Sequence, residues 1–596
     1  MELIKNNLWK EKLKKWLPLL LFILMAIIRL SIVNKGIDYT DTGFNITKYK
    51  NVFLGSGISG IGTFYTELIG GIIYYLLPAY HLLVYRILHV IIWLVTVFFA
   101  YQIFKQYTNQ TYLLVFFVGM ATLFEGEMIY GYYPMTQLLL LLSIWFLHDG
   151  LIKDKKNLLF FAGFVACINV FFRLPNLLYL SMILGILWYG WISGQEKKKI
   201  WKNAGLFLGG VVAGGFFTLL MMFIFMDFRQ IINSFMDFVG MALGKSSSNV
   251  ENFLGVYEQS GHSLWAEIKT IGSQGIQAII LFVCFFLIAL VIAYLISKLA
   301  KQKINKNIIN VAIWAIWLMA SIVFAKQLTG KILYILGLAV IVLCFVLMLQ
   351  TRKENPIIST LCLLTILLSI FSVVGTDKGL QRFFIVRTMQ VPMLLICAKQ
   401  LVAPKWKKIK LEDCSKFFLR GFCVLMCITI FATGLFVCMK TAYNDREYKE
   451  LQYICDEGIL PFKGMKTSEE RAAALDEYYF IMQEEVMRDK EVAVFGYFPL
   501  AFVIAPQERY FDGDNPCVDY PSVSVEKLLE VIQRKEQEGI IPVIVLSYVD
   551  RIQWGRSENV AITTEAKQAV IDYMLTLHEY KIYKQTKYYT IYMAEQ

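Results

Sequence analysis

Four acidic residues lie in two short segments beside apolar stretches of the sequence. Asp38 and Asp41 occur in DYTDTGFN, directly after the first apolar run, and Glu125 and Glu127 occur in FEGEMIYGYYP. Paired carboxylates suit general-base catalysis on a hydroxyl group or the binding of a divalent cation. If both segments face the same side of a membrane, the carboxylates can converge on one pocket. Solvated loop carboxylates are the simpler alternative, and the sequence leaves both interpretations open.

A second set of candidate residues is basic. Arg173 ends an apolar run in FFRLPN, and Lys378, Arg382 and Arg387 belong to GTDKGLQRFFIVR. Guanidinium groups bind phosphate oxygens through paired hydrogen bonds, so we expect these residues to bind a diphosphate or a lipid phosphate. Interfacial snorkelling of Arg173, or headgroup binding without catalysis, would explain the same residues.

The composition shows what surrounds these residues. Of the 596 residues, 57% are hydrophobic and 17% are charged, and the mean hydropathy is +0.54. Soluble proteins carry about 25% charged residues and about 45–50% apolar ones. A soluble enzyme and a disordered scaffold are therefore excluded, and the chain is predicted to be a polytopic α-helical membrane protein. Lysines in cytoplasmic loops explain the net charge of +12, so we expect membrane lipids and no nucleic acid as partners.

Apolar runs predict about 13 transmembrane helices. The predicted spans are residues 17–33, 82–104, 111–124, 135–150, 158–172, 176–193, 204–226, 274–298, 308–325, 329–349, 356–374, 388–402 and 416–438. The basic N-terminus is assigned to the cytoplasm, which makes residues 34–66 an external acidic loop. The Gly-rich stretch 64–80 is assigned to a juxtamembrane segment, because the later lysine-rich loops then all face the cytoplasm. Those loops are residues 153–156, 196–202, 298–306, 352–353 and 405–410.

The composition changes close to residue 441, so we predict a transmembrane domain over 1–440 and a small extracytoplasmic α/β domain over 441–596. The alternation of strand and helix patterns indicates the α/β class. Helices are predicted at 467–488, 523–537 and 563–577, strands at 491–498, 509–511 and 541–548, and a strand or hairpin at 581–593. Cys455 and Cys517 lie in this polar region, and a disulfide between them is open if the region is outside the cell.

The order of these motifs resembles that of the GT-C glycosyltransferase superfamily, which includes protein O-mannosyltransferases and the lipid A aminoarabinose transferases. The motifs are Asp41-Thr42-Gly43-Phe44, Tyr85-Arg86-Ile87-Leu88, Glu125-Gly126-Glu127 and GFVACINVFFRLPN. They cover residues 15–195 in order, and the resemblance in topology covers the whole chain. It implies a GT-C-like fold that transfers a sugar from a polyprenyl-phosphate-linked donor to a glycan, lipid or protein acceptor on the extracytoplasmic face.

Roles for individual residues follow from the same resemblance. Asp41 would be the general base, and the anomeric carbon would be inverted. Asp38, three residues upstream, is the second catalytic candidate and would replace the acid that follows the base in many relatives. Arg382 and Arg387 would stabilise the phosphate leaving group, assisted by Arg173 or Lys378.

Metal dependence is left open by one departure from the family pattern. Many relatives have Asp-Glu in the first loop, where this chain has Asp41 followed by Thr42. If a divalent cation (Mg or Mn) takes part, its ligands would be Asp41 and Glu127. The expected location is a bacterial cell membrane.

Two other functions compete with this hypothesis. A lipid-linked oligosaccharide polymerase or ligase also combines many spans with arginine-rich external loops. A transporter or flippase would be a non-enzymatic alternative, although the sequence lacks the internal repeat that transporters often carry.

Overall fold

A computed structural model describes residues 2–108, 111–123, 128–242, 332–373, 379–400, 442–511, 517–519, 523–549, 551 and 563–595. Up to residue 400 the described chain is helical. Its α-helices are α1 (Glu2–Leu30), α2 (Asp41–Leu54), α3 (Phe64–Leu76), α4 (His81–Phe104), α5 (Thr111–Thr122), α6 (Tyr132–Ile152), α7 (Lys156–Val170), α8 (Ile183–Ile192), α9 (Lys197–Phe225), α10 (Phe228–Ala242), α11 (Ile332–Thr351), α12 (Pro356–Val373) and α13 (Arg387–Gln400). A 3-10 segment, Leu174–Met182, runs directly into α8.

Several of these helices are long and apolar enough to cross a membrane. Within the described part of the chain five qualify by length and composition: His81–Tyr107, Tyr132–Ile152, Leu174–Ile192, Lys197–Phe225 and Pro356–Val373. On α9, Val212, Phe216, Leu219 and Phe223 lie on one face and are 45–72% exposed. An exposed apolar stripe of this kind is compatible with contact to lipid.

The helices agree with the predicted spans wherever the structure describes them. Each predicted span that falls on described residues is occupied by a helix, with ends that differ by a few residues. The spans at 274–298, 308–325 and 416–438 lie outside the described residues, so the total of about 13 stays a prediction.

Two of the predicted lysine-rich loops meet at one end of the bundle. The Lys199 ammonium lies 3.0 Å from the Asp154 carboxylate, which joins the first turn of α9 to the turn before α7. The indole of Trp188, near the end of α8, donates a 3.0 Å hydrogen bond to Ser359, one turn into α12. The turn that precedes α12 therefore lies at this same end.

Helix α4 connects this end to the opposite one. Near its C-terminus, the Tyr107 hydroxyl lies 2.7 Å from His148, close to the end of α6. Before its N-terminus, the Tyr80 amide donates a 2.9 Å hydrogen bond to the Leu460 carbonyl of the C-terminal region. The helix has 24 residues, which corresponds to a length of about 36 Å. The C-terminal region thus sits at the end remote from the basic turns.

The segment predicted as the external acidic loop contains a helix that the sequence did not reveal. Helix α2 begins at Asp41 and packs against α3, whose Gly70 and Gly71 lie against Tyr49 and Val52. Helix α3 has 13 residues, fewer than the ~20 needed to cross a bilayer. Half of α2 is polar, so no apolar run marked it, and its buried side chains find their partners in distant parts of the chain.

The C-terminal region (residues 442–595) combines a small sheet with helices. Its helices are α14 (Glu469–Met482), α15 (Ala501–Ile504), α16 (Val525–Gln537) and α17 (Glu565–Leu577), and its strands are β1 (Tyr453–Ile454), β2 (Lys466–Thr467), β3 (Val492–Phe495), β4 (Val543–Ser547), β5 (Tyr580–Gln585) and β6 (Tyr589–Ala594). The main sheet has the order β3-β4-β6-β5, with β3 parallel to β4 and the other neighbours antiparallel. The predicted helices and the predicted hairpin are confirmed. The expected strand at 509–511 contributes only a single bridge between Arg509 and Val492.

The C-terminal region shares a core with the segment after α1. Tyr39 packs edge to face against Phe498, with ring centroids 5.6 Å apart, in a cluster that also holds Ile37 and Tyr478. Gly43 lies close to the backbone of Leu500, since a Cβ at residue 43 would be 2.6 Å from the Leu500 nitrogen. Helix α2 therefore serves as the surface on which the C-terminal region packs.

Candidate functional site

Asp38 is buried and held by several donors. Its carboxylate accepts hydrogen bonds from the Thr42 amide (2.7 Å), from the amide and hydroxyl of Thr40 (3.3 and 3.0 Å) and from the Asn444 side chain (3.2 Å). Burial, with the charge of Asp41 nearby, raises the pKa of the Asp38 carboxyl above its ordinary value. Because these bonds go to the backbone at the start of α2, Asp38 fixes the geometry of the segment that carries Asp41.

Asp41 is the exposed member of the pair. It occupies the first turn of α2, where the positive end of the helix dipole favours a negative charge. Its Oδ2 accepts a 2.5 Å hydrogen bond from the hydroxyl of Tyr443, a residue of the C-terminal region. Of the two aspartates, Asp41 is therefore the one that a substrate can reach.

A buried ion pair holds the C-terminal region against the segment before Asp38. Arg471 and Asp445 form this pair, and the Asp445 Oδ2 also accepts hydrogen bonds from the Ile37 amide (2.9 Å) and the Thr467 hydroxyl (2.7 Å). Arg471 donates to the Ile37 carbonyl at 2.5 Å, and its guanidinium lies 4.9 Å from the centroid of the Tyr39 ring. These contacts fix residues 37–39 from both sides.

Arg86 of the Tyr-Arg-Ile-Leu motif holds the same segment from the transmembrane side. Its guanidinium donates to the carbonyls of Lys35 and Gly36 at 2.6 Å and to that of Val33 at 3.2 Å. No role was predicted for Arg86 beyond its place in the motif. The structure makes it a positioning residue for the chain that leads to Asp38.

The second acidic pair, Glu125 and Glu127, lies outside the described residues. Met128, the next described residue, belongs to an apolar cluster with Ala442, Tyr448 and Leu451. The turn at 442–446, which contacts Asp38 and Asp41, thus also adjoins the end of the second predicted acidic loop.

Two of the predicted phosphate-binding residues are brought together by one aromatic ring. The guanidinium carbon of Arg382 lies 4.8 Å from the centroid of the Tyr133 ring, and that of Arg173 lies 5.6 Å from it. Arg173 is 7% exposed and contacts the Asn176 side chain at 3.5 Å. Two cations at one ring form a compact basic cluster, termed here the arginine–tyrosine cluster (Arg173, Arg382 and Tyr133).

The other two predicted cations are placed differently. Arg387 begins α13 and donates a 3.4 Å hydrogen bond to the Ala121 carbonyl on α5. Lys378 lies outside the described residues.

Buried asparagines support the backbone around Arg173. The side-chain nitrogen of Asn176 donates hydrogen bonds to the Thr136 hydroxyl at 2.8 Å and to the backbone carbonyl and side-chain oxygens of Asn169 at 3.0 Å. All three side chains are buried. Because buried polar groups that keep their partners are rigid, this network fixes the turn in which Arg173 lies.

A short stretch of chain joins α2 to the arginine–tyrosine cluster. The Tyr49 hydroxyl on α2 donates a 3.1 Å hydrogen bond to the Tyr130 carbonyl, and Tyr133 follows three residues later. Three peptide units span no more than about 11 Å between Cα atoms. The chain that leads to Tyr133 therefore contacts the middle of α2, the helix that begins at Asp41.

Other polar residues of α2 were not singled out by the sequence. Lys48 pairs with the buried Glu67 of α3 at 3.2 Å, and Glu67 also accepts from the Ser59 amide at 2.7 Å. Lys50 donates to the Phe502 carbonyl at the C-terminal end of α15 (2.8 Å), and burial lowers the pKa of Lys50. The local sequence signal for the contacts of Glu67 is that it follows Thr63 by four residues. This spacing is too common to identify a site.

Among the described residues no group of three or more His, Cys, Asp or Glu side chains comes together. Both oxygens of Asp38 accept hydrogen bonds from protein donors. Glu127, the other expected ligand beside Asp41, lies outside the described residues, so the pair of Asp41 and Glu127 stays a prediction.

The two cysteines of the C-terminal region are both buried. Cys455 belongs to the core cluster that holds Ile459 and Tyr478, and the Cys517 sulfur lies 4.0 Å from the Gly496 carbonyl oxygen. Burial, with the charge of Asp476, raises the pKa of the Cys455 thiol, so this cysteine is an inert part of the core.

No family model matches the sequence, and no curated protein matches it. The chemistry of the residues above therefore carries the functional assignment.

Proposed function

We propose that this protein is an integral membrane glycosyltransferase that moves a sugar from a polyprenyl-phosphate-linked donor to an acceptor hydroxyl. The observation that carries the proposal is the exposed Asp41 carboxylate at the start of α2, which is fixed by the buried Asp38. A general base needs both access to its substrate and a defined orientation, and Asp41 has both.

The proposed reaction is a single displacement at the anomeric carbon. The acceptor oxygen forms a bond to that carbon while the bond between the carbon and the phosphate oxygen breaks, so the configuration inverts. The proton of the acceptor hydroxyl passes to Asp41, and the electron pair of the broken bond leaves with the polyprenyl phosphate. The Tyr443 hydroxyl donates a hydrogen bond to Asp41, as the hydroxyl of the sugar-accepting substrate would. The bound acceptor substrate therefore replaces Tyr443 at this carboxylate.

The arginine–tyrosine cluster suits the developing phosphate charge. Guanidinium groups keep their charge and bind phosphate oxygens in pairs. The guanidinium carbons of Arg173 and Arg382 lie 5.6 and 4.8 Å from the centroid of the Tyr133 ring, which supports a phosphate-binding role for this part of the chain. Arg387, which begins α13 and bonds to the Ala121 carbonyl, lies apart from this cluster, and its phosphate-binding role stays a prediction.

The proposed orientation places the N-terminus in the cytoplasm and the C-terminal region outside a bacterial cell membrane. The support is the separation of the two ends of the bundle, since the lysine-rich turns lie at the end opposite Asp41. Excess lysine and arginine marks the cytoplasmic side of membrane proteins.

The test uses the full-length protein in lipid nanodiscs with a panel of radiolabelled polyprenyl-phosphate hexoses and cell-envelope extract as the acceptor. We expect the wild type to consume one donor and Asp41→Asn to lose at least about a hundredfold in rate, the usual range for a general base. Asp154→Asn is the matched control, because Asp154 is exposed and lies at the opposite end of the bundle.

Equal rates for the wild type and Asp41→Asn would contradict the role of Asp41. If no monosaccharide donor is consumed but a lipid-linked oligosaccharide is, the protein is a polymerase or ligase. If neither is consumed, the proposed transfer is wrong and the transporter hypothesis takes its place.

A further inference from the structure

The C-terminal region contains an open groove that the proposed reaction does not use. It has a volume of about 790 Å³ and lies beside the N-terminus of α14. Pockets for small ligands typically measure about 300–1,000 Å³. One wall is formed by Arg446, the last residue of the turn whose Tyr443 contacts Asp41.

The charges that line this groove are balanced. Three cations, Arg446, Lys449 and Lys587, face three carboxylates, Glu450, Glu469 and Glu470. Glu470 lies 2.7 Å from the Lys587 ammonium and 3.9 Å from the Arg446 guanidinium. The three carboxylates would repel a polyanion. An apolar ligand would remove the charged groups from water without offering them new hydrogen-bond partners.

Two tyrosines add ring surfaces to the polar lining. Tyr453 is 46% exposed and hydrogen-bonds Glu469, which raises the pKa of Tyr453. Tyr588 is half-buried, and the Lys587 ammonium lies 5.4 Å from its ring centroid. Tyrosine offers an apolar face together with a polar hydroxyl.

One hydroxyl in the lining of the groove is buried. Ser468, the residue before α14, is 8% exposed, and its Oγ makes no hydrogen bond among the described residues. Leaving the hydrogen bond of a buried hydroxyl unmade is unfavourable. A ligand that carries hydroxyl groups would supply the missing bond.

We propose that this groove binds an oligosaccharide. Sugar hydroxyls both donate and accept hydrogen bonds, so they match alternating carboxylates and cations, while the C–H faces of the sugar rings pack on Tyr453 and Tyr588. Balanced charges, ring faces and a buried hydroxyl therefore suit a sugar better than a polyanion or an apolar ligand.

The position of the groove indicates what the oligosaccharide does. The Ala442 amide donates a 3.1 Å hydrogen bond to the Arg446 carbonyl, so the turn between them is closed and short. A chain bound along Arg446 therefore ends near Tyr443 and Asp41. The identification of the bound oligosaccharide as the acceptor substrate rests on the proposed sugar transfer. The binding of an oligosaccharide in the groove does not.

The experiment measures binding directly, without turnover. Full-length protein in a detergent without a sugar headgroup is titrated with mannotriose, maltotriose and chitotriose, and binding is followed by saturation-transfer NMR. We expect saturable binding of at least one trisaccharide and a loss of about tenfold in affinity for Tyr453→Ala, equivalent to about 1.4 kcal/mol.

Tyr583→Ala is the matched control. Tyr583 is 41% exposed on β5 and hydrogen-bonds Glu484, as Tyr453 does Glu469, but it lies outside the groove. We expect its affinity to stay within about twofold of the wild type.

The proposal is overturned if no trisaccharide binds, or if Tyr453→Ala binds as the wild type does. It is also overturned if an uncharged serine-rich decapeptide binds in place of the sugars and loses affinity in Tyr453→Ala. Trisaccharide binding by a protein that consumes no donor would support the groove and contradict the transfer, so the two proposals fail separately.

Discussion

The Nε of Arg471 lies 3.2 Å from the Oδ1 of Asp445, and neither side chain has more than 1% of its surface exposed. Both residues also bond to Ile37, one residue before Asp38. An ion pair that is withdrawn from water in this way is sensitive to the loss of either member, because the remaining charge has no solvent to stabilise it.

Arg471→Met should therefore destabilise the protein by about 3–5 kcal/mol, the range for breaking a buried pair. The measurement is thermal unfolding of the detergent-solubilised protein, together with the rate of proteolysis at the turn of residues 442–446. Lys584→Met is the control, because its pair with Glu484 is exposed and should contribute less than about 1 kcal/mol. Similar losses in both variants would contradict the importance of burial.

Two glycine substitutions should have opposite effects. Gly43→Ala places a methyl group against the Leu500 backbone, and we expect a loss of about 1–3 kcal/mol from overpacking. A Cβ at Gly205 meets nothing within 4 Å, so Gly205→Ala on α9 should be neutral or stabilise by up to about 1 kcal/mol. Thermal unfolding of both variants tests this, and an unaffected Gly43→Ala would show that α2 and the C-terminal region do not pack this closely.

The stability of the protein should depend on the ionisation of Asp38. Since burial raises its pKa in the folded state, the folded protein binds the proton more tightly than the unfolded chain does. The contribution of Asp38 to stability therefore increases as the pH falls through its folded-state pKa and decreases as the pH rises.

We expect the unfolding temperature of the wild type, measured relative to Asp38→Asn, to rise as the pH is lowered from neutral towards the acidic range. Asp154→Asn should show no such trend relative to the wild type, since Asp154 is exposed. A difference between wild type and Asp38→Asn that is constant with pH would contradict the prediction.

Arg382→Gln should weaken donor binding. Loss of one charged hydrogen-bond partner of a phosphate costs about 1.5–3 kcal/mol, which corresponds to a rise in the KM for the polyprenyl-phosphate sugar of roughly tenfold or more. Arg382→Lys should recover only part of this loss, because an ammonium lacks the planar fork that lies against Tyr133. Arg352→Gln at the opposite end of the bundle is the control. An equal rise in the KM of this variant would contradict a phosphate-binding role for Arg382.

Much of the local structure was predictable from the sequence. Long apolar runs such as that of α9 identify helices by themselves, and the apolar run of β4 between polar turns identifies a strand. The helix α2 was missed because its buried residues do not form a continuous apolar run. They become buried only when α3 and the C-terminal region pack on them, and no local pattern reports such contacts.

The candidate site was predicted in its residue types but not in its arrangement. Spacing alone did not distinguish Asp38 from Asp41, because the difference depends on Asn444 and Tyr443, about 400 residues away. Arg173 and Arg382 are joined by Tyr133, which had no signal of its own. Arg471 lies in a segment rich in charged residues that is typical of an exposed helix, so its burial was not visible before the fold was known.

The bond between the Ile37 amide and Asp445 joins residues that are 408 positions apart. At a synthesis rate of about 5–20 residues per second, the ribosome needs roughly 20–80 s to make the chain between them. During that time Asp38 and Asp41 are already past the first helix, but the turn that orders them has not yet been made. The order of synthesis thus delays assembly of the proposed base until nearly every membrane-crossing helix has been inserted, and a prematurely terminated chain would carry the aspartates without their geometry.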